Sequence, residues 1–323
     1  MRVNWNRGLA AAILAGASFA CVTNAARAQD GQFLMPEQSA AKAKELIRQA
    51  IDALGGAAYL NVRDITCTGR TATFEHSGEL SDFLQLNDSR QLPDKERLEY
   101  VRKGHNTIAG YVLGVDGLEF THGGIVVTVY NGSHGWSYDR SGVNELPADY
   151  VDQFHEQLRT NLGTLLRARV NEPDMVLRYG GEDAVDLKAA DWVELTDGQD
   201  RTIRIAIAQS SHLPIREVVQ TKDPKLHTKA EEIDYFSNYH VFGGIQTPLQ
   251  TAQERNGIKT SQTFFDKCEY NTSPPAAAFT KESLDQRWAQ VPEKQRAQEK
   301  KEAAHLKEKQ QEDQDSDDTT SKK

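Results

Sequence analysis

Hydrophobic residues recur every three or four positions between residues 36 and 54, and at every second position through most of the chain from Val62 onward. The apolar positions of the first segment are Ala43, Leu46, Ile47, Ala50, Ile51 and Leu54. They form one stripe of an amphipathic α-helix. Pro36 suits its first turn, and Gly55-Gly56 supply its end. A single helix is marginal in water, so this stripe predicts that the helix covers an apolar surface.

The alternating segments predict about ten or eleven β-strands between Val62 and Asn271. Asn131-Gly132 and Asn256-Gly257 are hairpin turn signals. A second amphipathic helix is predicted over residues 150–170, in the middle of the strand series; its stripe is Val151, Phe154, Leu158, Leu162 and Leu165. Short links between strands imply antiparallel pairing. The pattern therefore predicts an α+β fold in which a large, curled, meandering sheet carries helices on one face.

The N-terminus has the pattern of a secretory signal peptide. Arg2 and Arg7 precede an apolar run from about Leu9 to Val22, and Ala26-Arg27-Ala28 follows. This order of basic, apolar and small residues predicts cleavage after Ala28, which makes 1–28 the signal peptide and the periplasm the destination. A short membrane anchor and a lipoprotein cleaved before Cys21 are the alternatives.

Composition and charge exclude some classes of protein. The 323 residues are 38% hydrophobic and 26% charged, and the net charge is −9. An acidic chain argues against a nucleic-acid partner, because phosphate binding requires a basic surface. After the N-terminal segment, no stretch approaches the roughly 18 apolar residues of a membrane-spanning helix.

The character of the chain changes after residue 280. Residues 281–323 are rich in Lys, Glu and Gln and lose hydrophobic periodicity. Such a segment buries too little apolar surface to order itself, so we expect a charged, disordered tail. A tether or interaction segment is the functional alternative. The expected domain therefore covers residues 29–280.

Catalytic and metal-binding patterns do not emerge from the sequence. His155-Glu156 begins like the zinc motif H-E-x-x-H, but Arg159 stands where the second histidine belongs. The chain contains no G-x-S-x-G elbow and no glycine-rich loop followed by G-K-[ST]. We therefore expect a non-enzymatic protein without a metal or cofactor.

Two cysteines, Cys67 and Cys268, remain after removal of the signal peptide. In an oxidising compartment they can form a disulfide, provided that the curled sheet brings its first and last strands together. The alternative is that both are small buried hydrophobic residues.

Aromatic and aliphatic residues on the strand faces are the remaining candidates for function. The candidates for a hydrophobic cavity are Leu98, Tyr100, Val127, Val129, Trp136, Tyr138 and Tyr235. Ordinary core packing is the alternative for all of them. A curled sheet of ten or more strands is wide for side chains alone to fill, and even barrels of about eight strands can hold a small ligand.

Four segments, in order, resemble a known family. They are "AKELIRQAIDALGG" with "YLNVRDI", "YNGSHGWSYDRSG", "HLPIREV" and "YFSNYHVFGGIQTP". Together they resemble the periplasmic outer-membrane lipoprotein-sorting proteins, the LolA/LolB-like lipoprotein carriers. The resemblance spans roughly Glu45 to Phe279. It implies an unclosed half-barrel with helices over its concave face, and an arginine that holds the helices in place, for which Arg70 and Arg102 are candidates. The charged tail departs from the family.

The resemblance implies a secreted carrier or binder of acyl chains, of lipid or of lipoprotein, in the cell envelope. The alternative is an envelope sensor or scaffold that uses the same fold to bind a protein partner.

Cleavage after Ala28 is testable on exported protein. The small side chains of Ala26 and Ala28 fit the pattern that precedes a cleavage site, so the intact mass should correspond to a chain that begins at Gln29. A mass corresponding to a lipid-modified Cys21 at the N-terminus would contradict this prediction.

Overall fold

The computed structural model describes residues 34–75, 77–102, 118–222 and 229–320. The signal peptide, its cleavage site and Cys21 lie outside these residues. No helix in the described ranges is both long enough and apolar enough to cross a membrane.

Thirteen antiparallel strands form one sheet in the described residues. The strands are β1 (Asp64–Phe74), β2 (Leu80–Gln91), β3 (Lys95–Val101), β4 (Ile125–Asn131), β5 (His134–Asp139), β6 (Gly142–Glu145), β7 (Val176–Val185), β8 (Lys188–Thr196), β9 (Thr202–Ala208), β10 (Pro214–Lys222), β11 (Lys229–Phe242), β12 (Ile245–Arg255) and β13 (Ile258–Tyr270). Their order across the sheet is β6-β5-β4-β3-β2-β1-β13-β12-β11-β10-β9-β8-β7. The sheet is unclosed, with β6 and β7 at its edges, so the predicted α+β half-barrel is confirmed.

Six α-helices accompany the sheet within the ranges that the structure describes. They are α1 (Pro36–Leu54), α2 (Ala57–Leu60), α3 (Ala148–Thr160), α4 (Leu162–Arg167), α5 (Lys281–Gln290) and α6 (Glu293–Thr320). Helix α1 ends at Gly55, whose φ of 130° favours glycine and where an added Cβ would lie 2.5 Å from the carbonyl oxygen of Gly244. This close approach seats the end of α1 against the β11–β12 turn, which explains the glycine there.

Helices α1, α3 and α4 cover one face of the sheet, which we call the inner face. The predicted stripe of α1 packs with Leu177, Val193 and Ile205 in one apolar cluster. Phe154 of α3 stacks on Tyr130 of β4, with ring centroids 4.2 Å apart. These helices therefore occupy the side of the sheet that the sequence assigned to them. The opposite face is the outer face.

The first and last strands pair in the middle of the sheet. Cys67 of β1 lies directly opposite Cys268 of β13, and a disulfide joins them. Next to this disulfide, the register of β1 shifts between Thr68 and Gly69. A Cβ on Gly69 would lie 2.2 Å from the carbonyl oxygen of Phe264, so only glycine allows this approach.

Two strands, β2 and β6, are additional to the predicted eleven. The inner face of β2 carries Asp88 and Arg90 beside Leu84 and Leu86, which hides the alternation in the sequence. Arg90 forms ion pairs with Asp88 at 2.9 Å and with Glu96 of β3 at 2.8 Å. These partners allow a polar segment to occupy the inside of the sheet.

The second predicted helix is divided at Asn161. The backbone of Asn161 is extended, and its side-chain oxygen accepts hydrogen bonds from the N–H groups of Gly163 and Thr164. Asn161 therefore ends α3 and caps α4, because a side-chain acceptor satisfies the free N–H groups of a new helix.

The segment expected to be a disordered tail instead forms α5 and α6, and the expectation was wrong in this respect. Leu284 of α5 is fully buried, and it packs with Val127, Val129 and Tyr138 on the outer face. Arg287 of α5 donates to both carboxylate oxygens of Glu99, at 2.8 and 3.0 Å. A few apolar contacts and specific ion pairs order this segment without a continuous hydrophobic stripe.

Leu284→Ala should lower the free energy of unfolding by about 2–5 kcal/mol, because a fully buried leucine is replaced by a cavity. Chemical denaturation measures the change. Gln286→Ala, at an exposed position of the same helix, is the matched control and should have little effect. Equal stability of the two variants would show that α5 does not contribute to the folded core.

Candidate functional site

The inner face carries two apolar clusters, one toward each edge of the sheet. The first lies under α1 and α4 and includes Ile203, Ile205 and Val219. The second lies under α3 and includes Leu84, Leu86, Tyr100 and Val126. Between them, the side chains of β11, β12 and β13 are mostly half-buried rather than buried. We call the inner face of these three strands the floor.

The floor combines two aromatic side chains with a row of threonines. Phe236 of β11 packs against the first cluster and Phe265 of β13 against the second, and both are half-buried. Strand register places Thr251, Thr263 and Thr71 in one row beside Phe236. Thr263 donates to Thr71 through their hydroxyl groups at 2.9 Å. The floor therefore offers apolar contact area together with internally bonded hydroxyl groups.

A polar row crosses the inner face next to the threonine row. Its members lie directly opposite one another on successive strands: Glu217, Asp234, Gln253, Ser261, Thr73 and Asp82. Arg102 donates to Asp82 at 2.7 Å, and its guanidinium lies 4.1 Å from the ring centre of Phe120. Along the strand direction, the inner face therefore changes from polar to apolar side chains.

Glu217 and Asp234 form the acidic part of this row. Burial, followed by the charge of Asp234, raises the pKa of Glu217 well above its usual range. A hydrogen bond from the backbone N–H of Leu162 opposes that shift. Burial raises the pKa of Asp234 to about 6, against a hydrogen bond from Gln253 and together with the charge of Glu232.

Three other acidic residues of the inner face, Asp88, Glu96 and Glu232, have basic partners. Asp88 and Glu96 share Arg90, and Glu232 pairs with Arg255 at 3.2 Å. Burial, and then the charge of Asp88, raise the pKa of Glu96, which Arg90 opposes. The pairs with Arg90 serve the structure, because the buried carboxylates of Asp88 and Glu96 are matched to its guanidinium.

The seven residues predicted to line a cavity are divided between the two faces. Leu98 and Tyr100 lie on the inner face in the second cluster. Val127, Val129, Trp136 and Tyr138 lie on the outer face, where α5 and the preceding turn cover them. Tyr235 also lies on the outer face, beneath Arg216 at 4.7 Å, and its hydroxyl donates to Glu254 at 2.9 Å. The structure therefore does not bring these seven side chains together.

Of the two arginines considered for holding the helices, only Arg102 reaches the polar row. Arg70 lies on the outer face, where its side chain is 52% exposed and pairs with Asp266 at 3.6 Å. No sequence pattern singles out Phe236, Phe265, Glu217 or Asp234. Phe236 and Glu217 lie within the segments that resemble the lipoprotein carriers, but the face on which each lies depends on strand register, which the sequence did not specify.

No group of three or more His, Cys, Asp or Glu side chains in the described ranges is arranged to hold a metal ion.

Comparisons with known proteins found similarity only among solved structures. No family model matches the chain, and no curated protein matches it. A DUF1329 family protein from Desulfovibrio piger superposes with a TM-score of 0.46 at 14% identity, over 75% of this chain and 98% of that one. An outer-membrane lipoprotein-sorting protein domain from Vibrio parahaemolyticus has a TM-score of 0.46 at 11% identity, over 76% and 99%. A LolA superfamily protein from Nitrosomonas europaea has a TM-score of 0.44 at 14% identity, over 75% and 99%. The last two carry the name of the family that the sequence motifs resemble.

The raised pKa of Asp234 predicts a pH-dependent stability. The pKa of an aspartate carboxyl in water is 3.8, and that of Asp234 in the folded protein is about 6. The folded protein therefore binds this proton more tightly than the unfolded chain does. Above pH 6 the charged carboxylate lowers the free energy of unfolding, by roughly 1–3 kcal/mol for a side chain that keeps some exposure. This lost stability is recovered as the pH falls from 6 toward 4, because the buried carboxyl becomes protonated.

Asp234→Asn should therefore be more stable than the wild type at pH 8 and about equal to it at pH 4, as measured by urea unfolding at both values. Asp266→Asn is the control, because that side chain is 64% exposed on the outer face. A stability difference between Asp234→Asn and wild type that is the same at both pH values would contradict the assignment.

Proposed function

We propose that this protein is a secreted, non-enzymatic binder or carrier of acyl chains, of lipid or of lipoprotein, in the cell envelope. The observation that supports the proposal is the half-buried floor between two apolar clusters of the inner face. Phe236 and Phe265 are only half-buried there, although they lie on the helix-covered side of the sheet. Covering that surface with an acyl chain is favourable by about 25 cal/mol per Å² of apolar area.

The polarity of the inner face suits a guest with an apolar chain and a polar head. The polar row of Asp234, Gln253 and Ser261 runs along one side of the threonine row, and Phe265 lies on the other side of it. A chain that lies along the strand direction would place its apolar part against the aromatic rings and its head against the polar row. Such sites usually combine apolar walls with a few placed polar groups.

An envelope location is proposed on two grounds. The N-terminal sequence has the order of a signal peptide. The disulfide between Cys67 and Cys268 suits an oxidising compartment such as the periplasm.

Binding of a fluorescent fatty acid, 11-(dansylamino)undecanoic acid, to the delipidated full chain tests the proposal. Emission should rise saturably, and unlabelled dodecan-1-ol should compete. Phe236→Ala and Phe265→Ala should each weaken binding about five- to tenfold, because each removes aromatic contact area from the floor.

Phe83→Ala is the matched control, since Phe83 is 50% exposed on β2 and points to the outer face. Trp136→Ala tests whether the ligand instead binds at the outer aromatic cluster. Because Trp136 lies on the outer face beside α5, its replacement should leave the affinity for the fluorescent fatty acid unchanged. If the wild type shows no saturable binding, acyl-chain binding is wrong, and the alternative of a sensor or scaffold for a protein partner is favoured.

A further inference from the structure

Glu217 and Asp234 lie directly opposite each other on β10 and β11 of the inner face. Glu217 is only 2% exposed, and its Oε1 atom is buried without a hydrogen-bond partner among the described residues. Asp234 is half-buried and borders the floor beside Gln253. The buried, unsatisfied carboxyl oxygen of Glu217 therefore lies next to the half-buried floor, to which Asp234 belongs.

This pair differs from the other acidic groups nearby in its lack of a cation. Asp82 has Arg102, Asp88 and Glu96 have Arg90, and Glu232 has Arg255. Neither Glu217 nor Asp234 forms an ion pair with any residue of the described ranges. A buried carboxylate without a partner is costly, so it is neutralised either by a proton or by a positive charge that comes from outside these residues.

The other charged and titratable groups around the pair are committed elsewhere. From β12, Arg255 binds Glu232. From α4, the guanidinium of Arg167 lies over the ring of Tyr59 at 4.3 Å and donates to the carbonyl oxygen of Tyr59 at 3.2 Å. From α2, the phenol of Tyr59 is buried, and burial raises its pKa to about 12, so it stays neutral at physiological pH.

We propose that Glu217 and Asp234 are the head-group site for an amine-bearing amphiphile, with its ammonium group held between the two carboxylates. This inference rests on the proposed function and names the class of guest. An ammonium has three N–H donors, for which the unpartnered Oε1 of Glu217 and the carboxylate of Asp234, beside its hydrogen bond from Gln253, are acceptors. Its chain would follow the inner face past Phe236, which lies two residues from Asp234 on the same side of β11.

A purely structural role makes a different prediction. The carboxyl of Glu217 accepts a hydrogen bond from the N–H of Leu162, which ties α4 to β10. If that were its whole role, Glu217→Gln would keep the acceptor and leave ligand preference unchanged. Discrimination between a cationic and a neutral head is therefore the diagnostic property.

Isothermal titration of the delipidated full chain at pH 7 should compare dodecylamine, dodecan-1-ol and dodecanoate below their aggregation concentrations. In the wild type, dodecylamine should bind about tenfold or more tightly than dodecan-1-ol, and dodecanoate more weakly than both, as expected for a charge pair shielded from water. In the Glu217→Gln, Asp234→Asn double variant, the affinity for dodecylamine should fall to the affinity for dodecan-1-ol. The affinity for dodecan-1-ol itself should change by less than about twofold.

Glu232→Gln is the matched control on the same face of β11, because that carboxylate already has Arg255, and it should keep the amine preference. Equal binding of amine and alcohol by the wild type would overturn the amine site and leave acyl-chain binding intact. An amine preference that survives the double variant would also overturn it. If none of the three compounds binds, both the amine site and the proposed function are wrong.

Discussion

The pairing of β1 with β13 holds the two halves of this molecule in one sheet. Strands β1 to β6 and β7 to β13 are two meanders, and each would be a separate sheet without this ladder. The paired residues are some 200 positions apart in the chain, since the sequence separation of Cys67 and Cys268 is 201. Their cross-link removes freedom from the unfolded chain over a long loop, which favours the folded state. The register shift at Gly69 bends the sheet at the same place.

The curl that follows from this junction gives the two faces different roles. On the inner face, apolar side chains meet α1, α3 and α4 toward the edges, and the floor between them keeps exposed surface. On the outer face, α5 covers β4 and β5 through Leu284 and Trp288, whose ring meets that of Tyr138 edge-on at 6.0 Å. Because α5 already covers the outer aromatic cluster, the inner floor is the place that we propose for a guest.

The electrostatic pattern of the inner face also has two parts. Asp88, Arg90 and Glu96 form a satisfied cluster that lets a polar strand lie inside the sheet. Glu217 and Asp234 lack such a cation among the described residues, and both have raised pKa values because of burial. Matched charges maintain the fold, whereas the unmatched pair beside the half-buried aromatic rings is the place that we propose for a ligand with the missing charge.

The sequence by itself determined the class of fold, because periodicity depends only on local geometry. The stripe of α1 and the alternation of β9 identify their elements wherever they pack. The order of the motifs indicated a half-barrel. Local pattern also found Asn131-Gly132 and Asn256-Gly257, since each turn needs only its own residues.

Tertiary structure decided which face each side chain occupies and what covers it. Trp136 and Leu98 both sit on alternating strands, but pairing register places them on opposite faces, and a shift of one residue would exchange the faces. Strand β2 was missed because Asp88 and Arg90 interrupt its apolar alternation, and only their ion pairs, including that of Arg90 with Glu96, let them lie inside the sheet. Helix α5 was missed because Glu99, the partner of its Arg287, is distant in sequence. Glu217 and Asp234 are ordinary acids in the sequence, and only the pairing of β10 with β11 under α4 brings them together in a buried site.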